Sequence, residues 1–281
     1  MENVIISNLS KLKDLKNRFK DGGVEKFHVI SDFDRTLTKA FVDGKKFPSV
    51  ISVLRDGNYL TADYAEKAHA LFNKYHPIEI DSDIPLEEKK KAMHEWWTTH
   101  FRLLIKSGLN RKDLEKIVES GKIRFREGAL EFIDFLYKNK IPLIILSSSG
   151  LGKDSISVLL EKEGRAYDNV HIVSNSFVWD KKGNAVAVEE PIIHSFNKSE
   201  TSVNRLPFFS LIKNRKNVLL LGDGIGDIGM INGFSYENLI KIGFLNYDVK
   251  ESLEEFKENF DIVILNDGNF KYVNKLIKEI I

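Results

Sequence analysis

Phe27-His28-Val29-Ile30-Ser31-Asp32-Phe33-Asp34-Arg35-Thr36-Leu37-Thr38 joins a short apolar, strand-forming run to an Asp-x-Asp step. In extended backbone, carboxylates two residues apart project to the same side. Charges that close repel unless a cation or a shared proton relieves them. A hard divalent cation is the natural partner for oxygen ligands. By itself an Asp-x-Asp step is more often a surface turn ahead of a helix, so its weight depends on what the other strands end on.

Leu143-Ile144-Ile145-Leu146 is a second run of this kind, and it ends on Ser147-Ser148-Ser149-Gly150. Val218-Leu219-Leu220-Leu221 is a third, ending on Gly222-Asp223-Gly224-Ile225-Gly226-Asp227. Residues 240–244 and 262–265 are further strand candidates. Residues 170–178 and 184–188 alternate like a hairpin around Asp180-Lys181-Lys182-Gly183. Near-helical apolar spacing predicts a helix over 3–20, carried by Val4, Ile5, Leu9, Leu12, Leu15 and Phe19, and others over 61–76, 85–107, 110–120 and 127–139. Asn110 is a candidate N-cap, and Gly108 and Gly121 are candidate stops. Short apolar strands separated by helices predict a doubly wound, Rossmann-like parallel α/β sheet, whose ligands bind beyond the carboxyl ends of its strands. Residues 40–125 are mostly helical without strong strand candidates and read as an inserted cap; residues 1–39 and 126–281 form the expected core domain.

The 281 residues are 42% hydrophobic and 30% charged, which excludes a disordered chain. The 42 basic and 41 acidic residues nearly cancel, against a protein that coats nucleic acid or an anionic membrane. With no cysteine, disulfides, Cys-ligated metals and thiol catalysis are excluded. No apolar run approaches the roughly 20 residues of a membrane helix, and Val4-Ile5-Ile6 is too short for a signal-peptide core. A cytoplasmic monomer without nucleic-acid or membrane partners is expected.

Two acidic clusters at two strand ends of one parallel sheet, Asp32 with Asp34 and Asp223 with Asp227, can share one metal ion. Gly224-Ile225-Gly226-Asp227-Ile228-Gly229 also matches the dinucleotide-binding fingerprint, with Asp248 near the distance at which a ribose-binding acid belongs. Asp223 and Asp227 would set bare negative charge against a pyrophosphate, so a dehydrogenase ranks below the metal reading. A phosphate-loop NTPase fails, because Gly152-Lys153 lacks the earlier glycine. Ser147, Ser148 and Ser149 offer hydroxyls and N–H groups at a helix N-terminus, an anion site or a simple cap. Lys198 could neutralise the same anion, although a lone loop lysine is more often solvated. Trp96 and Trp97 read first as core aromatics; His94 and His100 fall on different helix faces and do not form a metal pair.

Asp-Phe-Asp-x-Thr-Leu-Thr, the strand-end serine, the loop lysine and Gly-Asp-x-x-x-Asp follow in the order of the haloacid dehalogenase superfamily. The chain further resembles the cytosolic pyrimidine 5′-nucleotidase (type III) family, through Ile78-Glu79-Ile80-Asp81, Glu95-Trp96-Trp97-Thr98, Ile193-His194-Ser195-Phe196-Asn197-Lys198 and Lys241-Ile242-Gly243-Phe244-Leu245-Asn246. The resemblance implies that Asp32 is a nucleophile and Asp34 an acid and base. It implies that Asp32, the Asp34 carbonyl and Asp223 hold Mg²⁺ with Asp227 behind them. Ser148, Ser149 and Lys198 would then grip phosphate. Counting from Pro142 selects Ser147 as the phosphate serine instead of Ser148. Glu79 matches the family residue that contacts the base, and His100 stands where relatives carry a serine. The implied substrate is a pyrimidine nucleoside 5′-monophosphate, CMP at least as good as UMP. 7-Methylguanosine monophosphate or another small phosphorylated metabolite is the alternative.

Overall fold

The computed structural model describes residues 3–46, 49–81, 83–198 and 206–281. The chain opens with β1 (Val4–Ile6), α1 (Leu9–Gly22) and β2 (Phe27–Ser31). An intervening stretch carries β3 (Phe41–Val42), β4 (Lys45–Lys46), α2 (Val50–Asp56), α3 (Tyr64–Ile80), α4 (Leu86–Lys106) and α5 (Arg111–Glu119). Then follow α6 (Ala129–Lys138), β5 (Leu143–Leu146), α7 (Gly152–Lys162), β6 (Val170–Val173), β7 (Phe177–Trp179) and β8 (Ala185–Val188). The chain ends with α8 (Phe209–Ile212), β9 (Asn217–Gly222), β10 (Asn238–Leu245), α9 (Val249–Asn259), β11 (Ile262–Leu265) and α10 (Lys271–Glu279).

The main sheet has the order β1-β11-β10-β9-β2-β5-β6. Only β1 runs antiparallel to its neighbour. Side chains alternate between the faces of a strand, and here both faces are buried. Val29, Ile145 and Leu219 enter one apolar cluster, while Ile30, Ile144 and Leu220 enter another on the opposite side. Strands buried on both faces read as unbroken apolar runs, which is why they were recognisable. Ser31 pairs with Ile145 on one side and Leu221 on the other, so the carboxyl ends of β2, β5 and β9 lie level at the point where the strand order reverses.

Two expectations are corrected. Val4–Ile6 is not the first turn of a helix; it pairs with Ile262–Ile264 at the sheet edge. Its three residues are β-branched, and the helix starts only after Asn8, whose side chain accepts from the Lys11 N–H at 2.9 Å. Residues 170–173 belong to the main sheet, and the hairpin pairs Phe177 with Val188. Asn175 forces that division by bonding the carbonyls of Ser149 and Ile193 between the two. The stretch 40–125 also holds a small hairpin, β3–β4, turned by Asp43-Gly44 with both residues at positive φ, as a two-residue turn requires.

Asn110 does cap α5, in a reciprocal box with Asp113. Val50, Val53, Leu54, Phe101 and Leu104 join the same apolar cluster as the sheet residues, whereas Tyr75, Met93 and Trp96 form a separate one. The intervening helices therefore share a buried base with the sheet and carry their own apolar tip. No helix among the described residues is long and apolar enough to cross a membrane.

Candidate active site

Beyond β2, the Asp32 N–H bonds the Leu221 carbonyl at 3.0 Å, so the chain leaves the sheet directly beside the end of β9. Lys198 Nζ lies 2.6 Å from Asp32 Oδ1 and 2.8 Å from Asp227 Oδ1. Thr36 Oγ1 donates to Asp32 Oδ2 at 3.2 Å. Asp227 turns its other oxygen back to accept from the N–H groups of Asp223 and Gly224, both at 3.0 Å. A Cβ on Gly222 would lie 2.5 Å from Asp227 Cβ, so glycine is needed for this fold-back. Arg35 Nε is 3.0 Å from Asp223 Oδ2.

Burial pushes the Asp34 carboxyl up to about 7, and the negative charge of Asp32 adds to it. Asp223 is likewise pushed up to about 7 by burial, against the pull of Arg35. Burial also raises Asp32, partly offset by Lys198. Burial alone would strip the Lys198 proton, but Asp227 and Asp32 outweigh it and hold the ammonium above its ordinary value.

Asp32, Asp223 and Asp227 each bring a carboxylate oxygen to within 4.8 Å of the others. Asp34 Oδ1 is buried close by without a partner. Four carboxylates thus face two cations, Lys198 and Arg35. The deficit of positive charge and the all-oxygen donor set fit a hard divalent ion.

The dinucleotide reading is overturned here. Ile225–Gly233 is a 3-10 segment, and the N–H groups that a pyrophosphate would need are already taken by Asp227.

Ser147, Ser148 and Ser149 all line the same cavity of about 740 Å³ as these acids. Ser147 Oγ accepts from the Ser149 N–H at 3.1 Å, Ser149 Oγ accepts from Leu151 at 3.4 Å, and Ser148 is half-buried. The turn fits tightly under the helices above: a Cβ on Gly150 would meet the Trp97 ring at 2.5 Å.

Glu79, Trp97 and His100 line the same cavity from the intervening helices. Glu79 accepts from Ser195 Oγ at 2.8 Å and faces His76 Nδ1 at 3.2 Å. Burial opposes ionisation of Glu79, but these two hydrogen bonds outweigh it and keep its carboxyl below the usual range. His100 is buried, its Nε2 is 3.0 Å from the Tyr64 hydroxyl, and its Nδ1 has no partner. Burial pushes His100 down to about 4, so it is neutral near pH 7. Trp96 and Trp97 stack at 5.6 Å; Trp96 belongs to the buried tip cluster and Trp97 reaches the cavity. His94 lines a different groove and takes no part.

The acids Asp32, Asp34, Asp223 and Asp227, the serines Ser147 to Ser149, Lys198, Glu79 and His100 thus all lie on one cavity. Others there had no sequence signal. Ser195 holds Glu79 from a distant loop and His76 from one turn earlier on the same helix, while Arg126, fully buried, lies off the cavity behind the Asp34 loop. Arg35, a non-glycine residue at φ 62°, places its side chain on Asp223 through backbone strain that a residue pattern does not reveal.

Residues 35–281 match the family model described as pyrimidine 5′-nucleotidase (UMPH-1). A Xenopus laevis protein named 7-methylguanosine phosphate-specific 5′-nucleotidase A is 35% identical over 268 residues, covering 95% of this chain and 92% of its own. A crystal structure of cytosolic 5′-nucleotidase IIIB bound to cytidine superposes with a TM-score of 0.89 at 28% identity, over 100% of this chain and 94% of the other. A phosphoserine phosphatase holding an analogue of its phospho-aspartyl intermediate shares the fold, with a TM-score of 0.54 at 20% identity over 90% of this chain and 99% of its own. Sheet and acidic edge together define a phosphatase of the haloacid dehalogenase type. Within that class the chain belongs to the pyrimidine 5′-nucleotidase family and is a 5′-nucleotidase, a phosphoric monoester hydrolase of nucleoside monophosphates.

Proposed function

We propose that the chain hydrolyses nucleoside 5′-monophosphates in two steps through an aspartyl phosphate on Asp32. In the first step an Asp32 oxygen bonds to phosphorus, the bond from phosphorus to the ribose O5′ breaks, and Asp34 gives its proton to O5′. In the second, Asp34 takes a proton from a water molecule as that water attacks phosphorus, which releases phosphate and restores Asp32. An acid whose pKa sits near neutrality suits both halves, and the value of about 7 at Asp34 supports this role. Lys198 and the hydroxyls and N–H groups of Ser147 to Ser149 hold the phosphoryl oxygens as charge develops. Ser148 and Ser147 both remain candidates for the phosphate-binding serine, since each lines the cavity.

Asp32, Asp223 and the Asp34 carbonyl would hold Mg²⁺, with Asp227 supporting them. When bound, the ion supplies positive charge that offsets the carboxylates and the phosphoryl oxygens. Residues 1–39 with 126–281 act as the phosphatase unit, and 40–125 as a cap that selects the base. We place the enzyme in the cytosol as a monomer; the naming of the cytidine-bound relative as cytosolic supports the compartment.

Glu79 carries the base reading. An ionised acceptor facing the cavity suits a base edge that donates, such as the cytosine N4 amine, so CMP should do at least as well as UMP. A second reading is favoured by the same carboxylate and the Trp97 indole, both of which line the cavity. The 7-methylguanine base offers two donors on one edge and a positive charge that an aromatic face attracts. The test is phosphate release from a panel of nucleoside monophosphates, with Mg²⁺ and with excess chelator. Activity lost to chelator and restored by Mg²⁺, with CMP or 7-methyl-GMP ahead of UMP, is the expected result. Full activity in chelator overturns the metal assignment, and UMP or unmodified GMP ahead of both overturns the base assignment.

A further inference from the structure

The chain enters the stretch of helices between β2 and α6 after Thr38 and comes back at Phe125, and the outgoing and returning segments lie side by side. Thr38 and Phe125 form an antiparallel bridge, the Lys39 N–H bonds the Arg124 carbonyl at 2.9 Å, and the Arg126 N–H bonds the Leu37 carbonyl at 2.9 Å. At the foot of this passage Arg126 is completely enclosed, its side chain 0% exposed. Its guanidinium donates to the Thr36 carbonyl at 2.8 Å, to the Gly268 carbonyl at 2.8 Å, to Asp267 Oδ1 at 2.8 Å and to Asn246 Oδ1 at 2.6 Å. It also donates to the Arg35 carbonyl, which Asn246 Nδ2 bonds as well at 3.1 Å. Burial lowers Arg126 to about 10, so it stays charged near pH 7.

Two of these three carbonyls, those of Arg35 and Thr36, belong to the residues that directly follow Asp34, and Arg35 is the strained one. Asp267 has a second task. Its oxygens accept from the Ala40 and Phe41 N–H groups at 2.8 and 3.2 Å, where the chain sets out toward the cap. The start of α2 also acts on Asp34: the Val50 N–H favours its ionised carboxylate. Backbone on one side of Asp34 and the approach of α2 on the other are thus tied to one buried ion pair. Arg126, Asp267 and Asn246 themselves do not line the cavity.

We infer that Arg126, paired with Asp267, is a positioning residue for hydrolysis: it fixes the peptides after Asp34 and the departure of the cap together, and so aims the Asp34 carboxyl at the leaving oxygen. The inference rests on Asp34 being the acid, and its test separates the two claims. A nucleoside is a poor leaving group that needs a proton, whereas the nitrophenolate of 4-nitrophenyl phosphate leaves without one. Single-turnover release of cytidine from CMP and of nitrophenolate is measured at saturating substrate, so that binding drops out. Asp34→Asn, Arg126→Lys and Asp267→Asn are compared with the unaltered chain, each checked for a cooperative thermal transition.

Asp34→Asn should slow cytidine release by about 10²–10⁴-fold, and Arg126→Lys and Asp267→Asn by at least about 10-fold, with nitrophenolate release within about 3-fold throughout. Asp267→Asn keeps an acceptor for Arg126 and decides the matter by the same criterion if Arg126→Lys does not fold. Equal loss on both substrates in the Arg126 or Asp267 variants, or no loss, overturns the positioning role while a selective loss in Asp34→Asn keeps the acid. Equal loss in Asp34→Asn itself overturns both.

Discussion

At the scale of single residues, the acids were legible because each cluster is contiguous in the chain and is bounded by a strand on one side. Asp32 with Asp34, and Asp223 with Asp227, need only the strand before them to be placed. Their surroundings were not legible. Arg126 meets Thr36 across 90 positions and Asp267 across 141, and Ser195 meets Glu79 across 116. No local spacing reports such a meeting. His100 shows the limit in the other direction: its position on a helix was clear, but its neutrality follows from burial, which one helix does not determine. Glu79 gives the sharpest test at this scale. Removing a hydrogen-bond partner from a binding site typically costs about 1–3 kcal/mol, so Glu79→Ala should raise the KM for CMP by roughly 5- to 150-fold and leave hydrolysis of 4-nitrophenyl phosphate nearly unchanged. Steady-state kinetics on both substrates check this, and equal losses would mean that Glu79 supports the fold and does not read the base.

At the scale of elements, strands buried on both faces were the easiest to read, since neither face interrupts the apolar run. The errors lie at the edges of the sheet. Val4–Ile6 is a three-residue edge strand whose partner is β11, more than 250 residues away, and its apolar residues blend into the spacing of the helix behind it. Strand β2 carries a consequence of burial that can be measured. The His28 Nδ1–H donates to the Arg215 carbonyl at 2.8 Å, and Nε2 is buried without a partner. Burial pushes this imidazole down to about 4, so the folded chain keeps it neutral. In the unfolded chain it takes a proton near pH 6.5. Its contribution is therefore present above about pH 6.5 and lost as pH falls toward 4, about 3 kcal/mol in all. His28→Asn retains a donor without the titration. Its stability in urea should fall less between pH 7 and pH 5 than that of the unaltered chain; parallel losses would contradict the account of His28.

At the scale of the whole molecule, division of labour follows from the sheet. The level carboxyl ends of β2, β5 and β9 bring an acid pair, a serine turn and a second acid pair to one edge, and the loop before residue 198 adds Lys198. The helices of the stretch between β2 and α6 line that edge with Glu79, Trp97 and His100. In the proposed mechanism, phosphate chemistry at the sheet is common to any nucleotide, discrimination falls to these helices, and turnover depends on Asp32 receiving the phosphoryl group. The most direct test quenches the enzyme in acid at intervals during its first turnover of CMP and maps modified peptides by mass spectrometry. A phosphoryl group that appears on Asp32 and decays as phosphate is released is the predicted result; phosphate released while Asp32 stays unmodified at every interval, or a phosphoryl group on another residue, would contradict it.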